Sequence, residues 1–209
     1  MASASARKRD RKRRQRQEKS RRLKIRRFQE RVRRGVRYWL ERAESLPIAE
    51  CVISRGWKDR GFAHILVARS TADDDLIVGA YYVDLLCLGL RDTAVLGPLE
   101  PEEYHGTVKS TLFNDPVDFE SCEPGVALAV VEGAIAYAAR YGFRPNKRWS
   151  QSRKLFAGIR AQDLDLEWGR DGKPCLVVKP GEDVTGSRRR LERLLGSDGF
   201  VVEDRTQEA

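Results

Sequence analysis

The chain has 209 residues, of which 41% are hydrophobic and 34% are charged, and its formal net charge is +9. This length suits one ordinary domain with an appendage, or at most two small domains. No run of eighteen apolar residues occurs, which excludes a transmembrane helix, and no signal peptide is expected because about twenty strongly polar residues precede the first apolar cluster.

The positive charge is concentrated at the start of the chain. Residues 1–43 hold 19 Lys and Arg against 4 Asp and Glu, a balance of +15, whereas residues 44–209 have a balance of −6. The sequence therefore predicts two parts. The first, the arm, spans residues 1–43 and is expected to be partly disordered or helical. The second, the body, spans residues 44–209 as a single α+β domain, long enough to bury about two-thirds of its unfolded surface.

The arm has the composition of a basic helix. Residues 7–27 contain no Pro or Gly and are mostly Arg, Lys, Gln and Glu, which favour helix, although like charges repel at i,i+4 spacing and should fray the first twenty residues or so. We predict one long helix whose C-terminal half docks on the body and which ends before Pro47. The docking ridge consists of apolar residues at helical spacing: Ile25, Phe28, Val32, Val36, Trp39 and Leu40.

This concentration of charge favours a polyanionic partner. Every phosphate that the arm neutralises releases condensed counterions, and an Arg-rich helix can follow a groove or fold on RNA. We expect a nucleic-acid-binding protein that slightly prefers RNA over DNA, without base specificity, because phosphate contacts do not read sequence. The expected contacts in the arm are Arg7, Lys8, Arg9, Arg11, Lys12, Arg13, Arg14, Arg16, Arg21, Arg22, Arg26 and Arg27.

Other roles for the arm remain open. A run of cations also serves as a solubilising tail, as an address for a transport receptor, or as an extension that binds an acidic protein surface in an assembly. Membrane binding is not expected, because the first 22 residues have no apolar face to insert. The body, for its part, is expected to dock on a protein or ribonucleoprotein partner.

The first half of the body predicts strands followed by a helix. A short strand is expected over 49–54, and a β-hairpin over 62–69 and 76–88, joined by the turn-like stretch 70–75. Glycine and prolines then punctuate the chain, and Pro101 begins a helix that is expected to reach residue 112.

The second half predicts a buried helix and a second hairpin. The Ala-rich segment 126–141 is apolar on most faces, which indicates a buried central helix, and a shorter helix should cover 150–159. Strands over 163–168 and 174–179 would form the second hairpin around an Asp-Gly turn. A helix over 185–195 contains three successive arginines, which point in different directions and so make no single patch. A last strand is expected over 200–203.

A second basic segment lies in the body. An aromatic ring among cations can stack on a base, so this segment is a candidate for nucleic-acid contact. The alternative, which we favour, is that the tryptophan anchors the core and solvated charges flank it. The residues concerned are Lys147, Arg148, Trp149, Arg153 and Lys154.

Cysteine and histidine usage excludes several classes of site. The four cysteines are at least 35 residues apart, so they form no zinc or redox motif and are expected to be reduced, mostly buried thiols. His64 should be a hydrogen-bonded strand residue and His105 a surface side chain, which leaves no site built on several imidazoles. Because neither a Walker loop nor a dinucleotide-binding glycine motif is present, no cofactor is implied.

A metal-dependent nuclease is the remaining enzymatic hypothesis. Asp84 and Asp92, with Glu102, Glu103 or Glu132 from nearby helices, could hold Mg²⁺ if their carboxylates converge. The interpretation that we favour is that Asp84 caps a backbone turn at a strand end and that Asp92 starts a loop. A non-enzymatic protein is therefore the main hypothesis.

Three segments of the body resemble a family of bacterial proteins of unassigned function. They are VGAYYVDLLCLGLRD at 78–92, EGAIAYAARYGFRPNKRW at 132–149 and EWGRDGKP at 167–174, and the likeness covers most of residues 45–203. The family pattern at 145–149 is usually Pro-His-x-Asp-Phe, so this chain replaces a His/Asp pair with basic residues. The resemblance implies a bacterial cytoplasmic protein, in keeping with association with the nucleoid or ribosome, and implies no activity.

Overall fold

A computed structural model describes residues 35–111, 113 and 117–206. It is a mixed α+β structure with a five-stranded antiparallel sheet and a two-stranded parallel sheet. Within the described residues, no helix combines the length and the apolarity that crossing a bilayer requires. The α+β class predicted from the sequence is confirmed.

Only the end of the predicted basic helix falls within the described part of the chain. Residues 35–40 are helical (α1), and their Trp39 and Leu40 are 7% and 3% exposed, packed against the body. A 3₁₀ turn, Ala43–Ser45, follows, so the helix ends before Pro47 as predicted. The earlier part of the predicted helix and all twelve of its proposed phosphate-contacting residues lie outside the described residues.

The large sheet contains the first predicted hairpin. Strands β2 and β3 pair antiparallel along their whole length, with Ile65 opposite Tyr81, which confirms the hairpin. The strand order is β4-β3-β2-β1-β5, and all neighbours are antiparallel. The strands are β1 (Ile48–Ser54), β2 (Phe62–Ser70), β3 (Leu76–Asp84), β4 (Gly89–Leu99) and β5 (Phe119–Ser121).

Strand β4 corrects the sequence interpretation of Asp92. That residue was expected to start a loop, yet it lies within β4, opposite Tyr82 of β3. Because β4 is an edge strand of this sheet, it tolerates polar residues and also Pro98, which has no N–H to donate to a ladder. The polar residues, glycines and proline of β4 are typical of a loop, and for this reason the sequence did not predict the strand.

The second predicted hairpin is wrong apart from its turn. Arg170 and Lys173 do bond to each other across the Asp-Gly turn, but residues 163–168 form no strand. Strand β6 (Cys175–Val178) instead pairs in parallel with β7 (Val201–Asp204), near the end of the chain. The alternating apolar residues of 163–168 pack on the core as extended chain, and so their period of two did not indicate a strand.

The predicted helices of the body are largely present. The segment after Pro101 is helical to Thr111 with a π-helical middle, Tyr104–Val108, and the helix predicted over 185–195 has those bounds. The α-helices after α1 are α2 (Trp57–Arg60), α3 (Pro101–Glu103), α4 (Lys109–Thr111), α5 (Pro124–Ala139), α6 (Trp149–Ser152) and α7 (Thr185–Leu195). A 3₁₀ turn, Arg153–Phe156, continues α6.

Helix α5 is the buried central helix that its composition predicted. Its Ala127, Val131 and Ala134 are fully buried in one cluster with Ile65 and Val83 of the sheet. The other face of the sheet is covered by the helical segment that follows Pro101, chiefly through the buried Tyr104. The sheet is therefore sandwiched between helices, and the residues just beyond α5, Tyr141 and Phe143, pack against α7.

The histidines and cysteines lie where the sequence placed them. His64 is in β2, with its ring stacked on Tyr82 at a centroid distance of 4.9 Å, and His105 is exposed. All four cysteines are free thiols, and three of them are buried while Cys122 is half-buried.

Candidate nucleic-acid interface

The root of the arm is fixed to the body by a buried arginine. Arg69 of β2 is 3% exposed, and its guanidinium donates to the carbonyl oxygens of Leu46, Leu155 and Ala157. A buried charge is costly unless it is fully hydrogen-bonded, and three carbonyl acceptors meet that requirement here. Arg69 thereby ties the segment that follows α1 to the neighbouring 3₁₀ turn Arg153–Phe156, and the end of the arm is held against the body.

The basic segment at 147–154 does not form a single contact surface. The Trp149 ring packs against the rings of Tyr81 and Phe156, at centroid distances of 6.2 and 6.4 Å, as the favoured core-anchor interpretation requires. Arg153 pairs with Glu132 at 2.7 Å. The exposed side chains of Lys147, Arg148 and Lys154 are left at the surface.

The acidic residues of the nuclease hypothesis have separate structural partners. Asp84 is 1% exposed, and its Oδ1 accepts hydrogen bonds from the backbone N–H groups of Leu86 and Cys87 at 2.8 and 2.9 Å. Burial raises the pKa of Asp84 to about 6, against the opposing effect of these bonds. It caps the turn between β3 and β4, as the favoured interpretation stated.

Of the other four candidate carboxylates, Glu102 and Glu103 are exposed on α3, and the remaining two have partners of their own. Asp92 accepts a hydrogen bond from the Asn146 amide at 3.1 Å, and Glu132 is engaged by Arg153. Across residues 35–111, 113 and 117–206, no group of three or more His, Cys, Asp or Glu side chains is placed to hold a metal ion.

A cleft that the sequence interpretation missed lies at the C-terminal end of α5, beside α7. Its volume is about 550 Å³, which lies within the range of about 300–1,000 Å³ for small-molecule sites. We call it the arginine cleft, and its lining side chains include Arg140, Tyr141, Arg190, Arg193 and Leu194.

Local sequence explains why these arginines face one cavity. Helix α7 is held to the body by Leu191, which is fully buried with Leu176 and Phe200. Arg190 and Arg193 are three residues apart, so they lie on neighbouring positions of one side of α7. The signal in the sequence is therefore the i,i+3 spacing of Arg190 and Arg193, not the run of three successive arginines.

The guanidinium groups of the arginine cleft are positioned by aromatic rings and a carbonyl. Arg190 donates to the carbonyl of Gly142, and its guanidinium lies 5.4 Å from the centroid of the Phe143 ring. Arg140 lies 5.7 Å from the centroid of the Tyr137 ring. Among the described ion pairs, none includes Arg140, Arg190 or Arg193.

A second group of cations and aromatic rings has a different character. Lys179 lies 4.0 Å from the centroid of the Phe62 ring and donates to the Tyr82 hydroxyl at 2.6 Å. The neighbouring arginines are matched by carboxylates, as when Arg91 pairs with Glu182. Because Phe62 is buried and the charges are paired, this group joins the two sheets and is a structural contact.

Comparisons with known proteins give this chain no relative. No model of a protein family matches it, and neither the curated proteins nor the solved structures contain a significant match. The resemblance stated from the sequence stays an expectation.

Proposed function

We propose that this protein is a non-enzymatic nucleic-acid-binding accessory protein of the bacterial cytoplasm, with RNA slightly preferred over DNA. The arm contacts phosphates, and the body docks on a protein or ribonucleoprotein partner. One observation carries the proposal, namely that a balance of +15 is confined to residues 1–43 while the rest of the chain has a balance of −6. Such a separation of charge is typical of proteins that hold a polyanion with one part and perform another task with the rest.

The attachment of the arm supports this division of roles. Burial of Trp39 and Leu40, together with the three hydrogen bonds of Arg69, fixes the point from which the arm leaves the body. A nucleic acid held by the arm is therefore kept close to the surface of the body. Phosphates held in this way are not selected by sequence, so specificity would come from the partner of the body.

The test compares the full chain with a full-length variant in which six arm cations are replaced by Gln. The replaced residues are Arg7, Lys8, Arg9, Arg11, Lys12 and Arg13. Fluorescence anisotropy with a labelled single-stranded RNA is recorded over a series of salt concentrations. About six phosphate contacts in the wild-type chain give a log–log salt slope of roughly −4 to −5, and we expect the variant to lose about half of it, because half of the expected contact residues are replaced.

Two outcomes would contradict the proposal. If the wild-type chain binds RNA and DNA at low salt no more tightly than the Gln variant does, the arm does not contact phosphates. If the wild-type chain does not bind nucleic acid but binds an immobilised acidic protein, the arm serves in a protein assembly. Circular dichroism of both chains serves as the control that the body is folded.

A further inference from the structure

The geometry points to the arginine cleft as a second nucleic-acid site, which binds the sugar–phosphate backbone of a single-stranded segment with a base beside Tyr141. This inference rests on the proposed function, because it concerns the same ligand. It adds a contact in the body that is separate from the basic segment 147–154, which the sequence offered as a candidate.

Unpaired charge is the first argument. The part of the chain after residue 43 has more acidic than basic residues, and carboxylates pair with four of the arginines in its sheets and loops, namely Arg55, Arg91, Arg170 and Arg205. Three arginines line the arginine cleft, and no described ion pair includes any of them. Like charges brought together repel, and an anion that enters the cavity relieves that repulsion.

Pre-organisation is the second argument. Rings and a carbonyl hold two of the guanidinium groups, those of Arg140 and Arg190, so little side-chain freedom is lost when an anion binds. Guanidinium groups present donors in a planar fork that matches phosphate oxygens. The cleft therefore suits direct hydrogen bonds to a phosphate group, and not only the loose attraction of counterions.

The uncharged part of the lining indicates the form of the nucleic acid. Tyr141 is half-buried in the wall of the cleft, and Leu194 is 55% exposed, the larger of the two exposures of large apolar side chains in the described chain. Aromatic and apolar side chains beside cations are the composition with which proteins hold unpaired bases. Because a base within a duplex is not free to stack on a tyrosine, the lining favours a single strand.

A purely structural role accounts for only one of the three arginines. Arg190 donates to the Gly142 carbonyl just beyond α5, and cations at helix C-termini are stabilising in general. No described hydrogen bond or ion pair involves the side chain of Arg140 or Arg193. These two residues are therefore the appropriate ones to change, since their replacement breaks no described hydrogen bond or ion pair and removes only the contact of Arg140 with the Tyr137 ring.

The experiment uses the full chain with two matched double variants. The cleft variant is Arg140→Gln with Arg193→Gln, and the control variant is Arg144→Gln with Arg189→Gln. Both remove two exposed cations from the same part of the surface, but neither residue of the control lines the cleft. Anisotropy is measured with a labelled oligouridylate, alone or paired with oligoadenylate, over a salt series.

We expect the cleft variant to reduce the magnitude of the salt slope for the single strand by about 1.4, because each phosphate contact with a single strand contributes about 0.7. The control variant should leave the slope unchanged. A Tyr141→Leu variant should weaken single-strand binding by roughly tenfold, as loss of base–aromatic stacking does elsewhere, and should leave duplex binding almost unaltered.

Equal effects of the cleft and control variants, or no effect of either, would overturn the inference. Should the cleft variant fail to fold, arginine modification of the wild-type chain by phenylglyoxal decides the question. Bound oligouridylate must protect Arg140 and Arg193 but leave Arg144 and Arg189 reactive. Protection that persists in the Gln variant of the arm would show that the cleft binds independently, even if the proposed role of the arm fails.

Discussion

The segment 147–154 and the arginine cleft are two cationic surfaces of one body with opposite properties. In the first, the cations are neighbours in sequence, yet one is paired with a carboxylate and the central tryptophan belongs to the core. In the second, the cations come from positions about fifty residues apart and share one cavity. A run of cations in the sequence therefore does not predict which cations lie together in the folded protein.

The largest expected difference between the two surfaces is in stability. Trp149→Ala removes a ring that packs on Tyr81 and Phe156, and we expect a loss of about 3 kcal/mol, the low end for a buried tryptophan because Trp149 is only half-buried. Tyr141→Ala removes a smaller half-buried ring that packs edge-on against Tyr137 at a centroid distance of 5.3 Å, and it should cost about 2 kcal/mol. Denaturant unfolding of both variants measures the difference. Equal losses would mean that Trp149 is a surface residue after all.

Variants of the two surfaces must be compared at one pH, because the stability of the body depends on pH through the buried Asp84. Its pKa is about 6 in the folded chain, above its ordinary value of 3.8, because it is buried. The folded state therefore binds the proton more readily, so the contribution of Asp84 is complete below about pH 4 and is lost as the pH rises through about 6.

We expect this loss to be about 3 kcal/mol, as the pKa difference implies. The Asn side chain of Asp84→Asn does not titrate. Urea unfolding from pH 4 to 7 should therefore show that the unfolding free energy of the wild type falls relative to that of the variant as the pH rises. Subtracting the two curves cancels the opposing effects of Glu50 and Glu203, whose pKa values are lowered. If the unfolding free energies of the wild type and the variant change with pH in the same way, the pKa of Asp84 is not raised by burial.

The cations of the segment 147–154 provide a smaller effect. Lys147→Gln with Arg148→Gln should change the salt slope for single-stranded RNA by about 0.7 or less, which corresponds to at most one phosphate contact. The cleft variant should change this salt slope by a larger amount. If the order is reversed in anisotropy measurements, the basic segment is the main contact of the body and the cleft is secondary.

The smallest effect is a difference in thiol reactivity, which also reports whether each variant is folded. A hydrogen bond with the thiol of Cys51 lowers the pKa of Cys122, and Cys122 is the half-buried one of the four cysteines. Iodoacetamide should therefore modify Cys122 first, while Cys51, Cys87 and Cys175 react only after unfolding. Mass spectrometry of native and urea-treated samples provides the comparison. Rapid modification of all four in the native chain would indicate an open core.

Much of the local structure was predictable because it depends on neighbours in sequence. The β-forming apolar runs of β2 and β3 around a turn, the Ala-rich α5, and the end of α7 at Gly196 each follow from local composition and from the residues that begin or end an element. The docking of Trp39 and Leu40 followed from helical spacing in the same way. These features need no information from distant parts of the chain.

The sequence by itself determined the separation of a basic arm from an acidic body, the α+β class and the core-forming periods of its main elements. Only the tertiary structure decided that β6 pairs with β7 and that Arg140 lines one cleft with Arg190 and Arg193. The physical reason is that a period reports which face of an element is apolar, whereas pairing and convergence depend on packing between segments far apart in the chain.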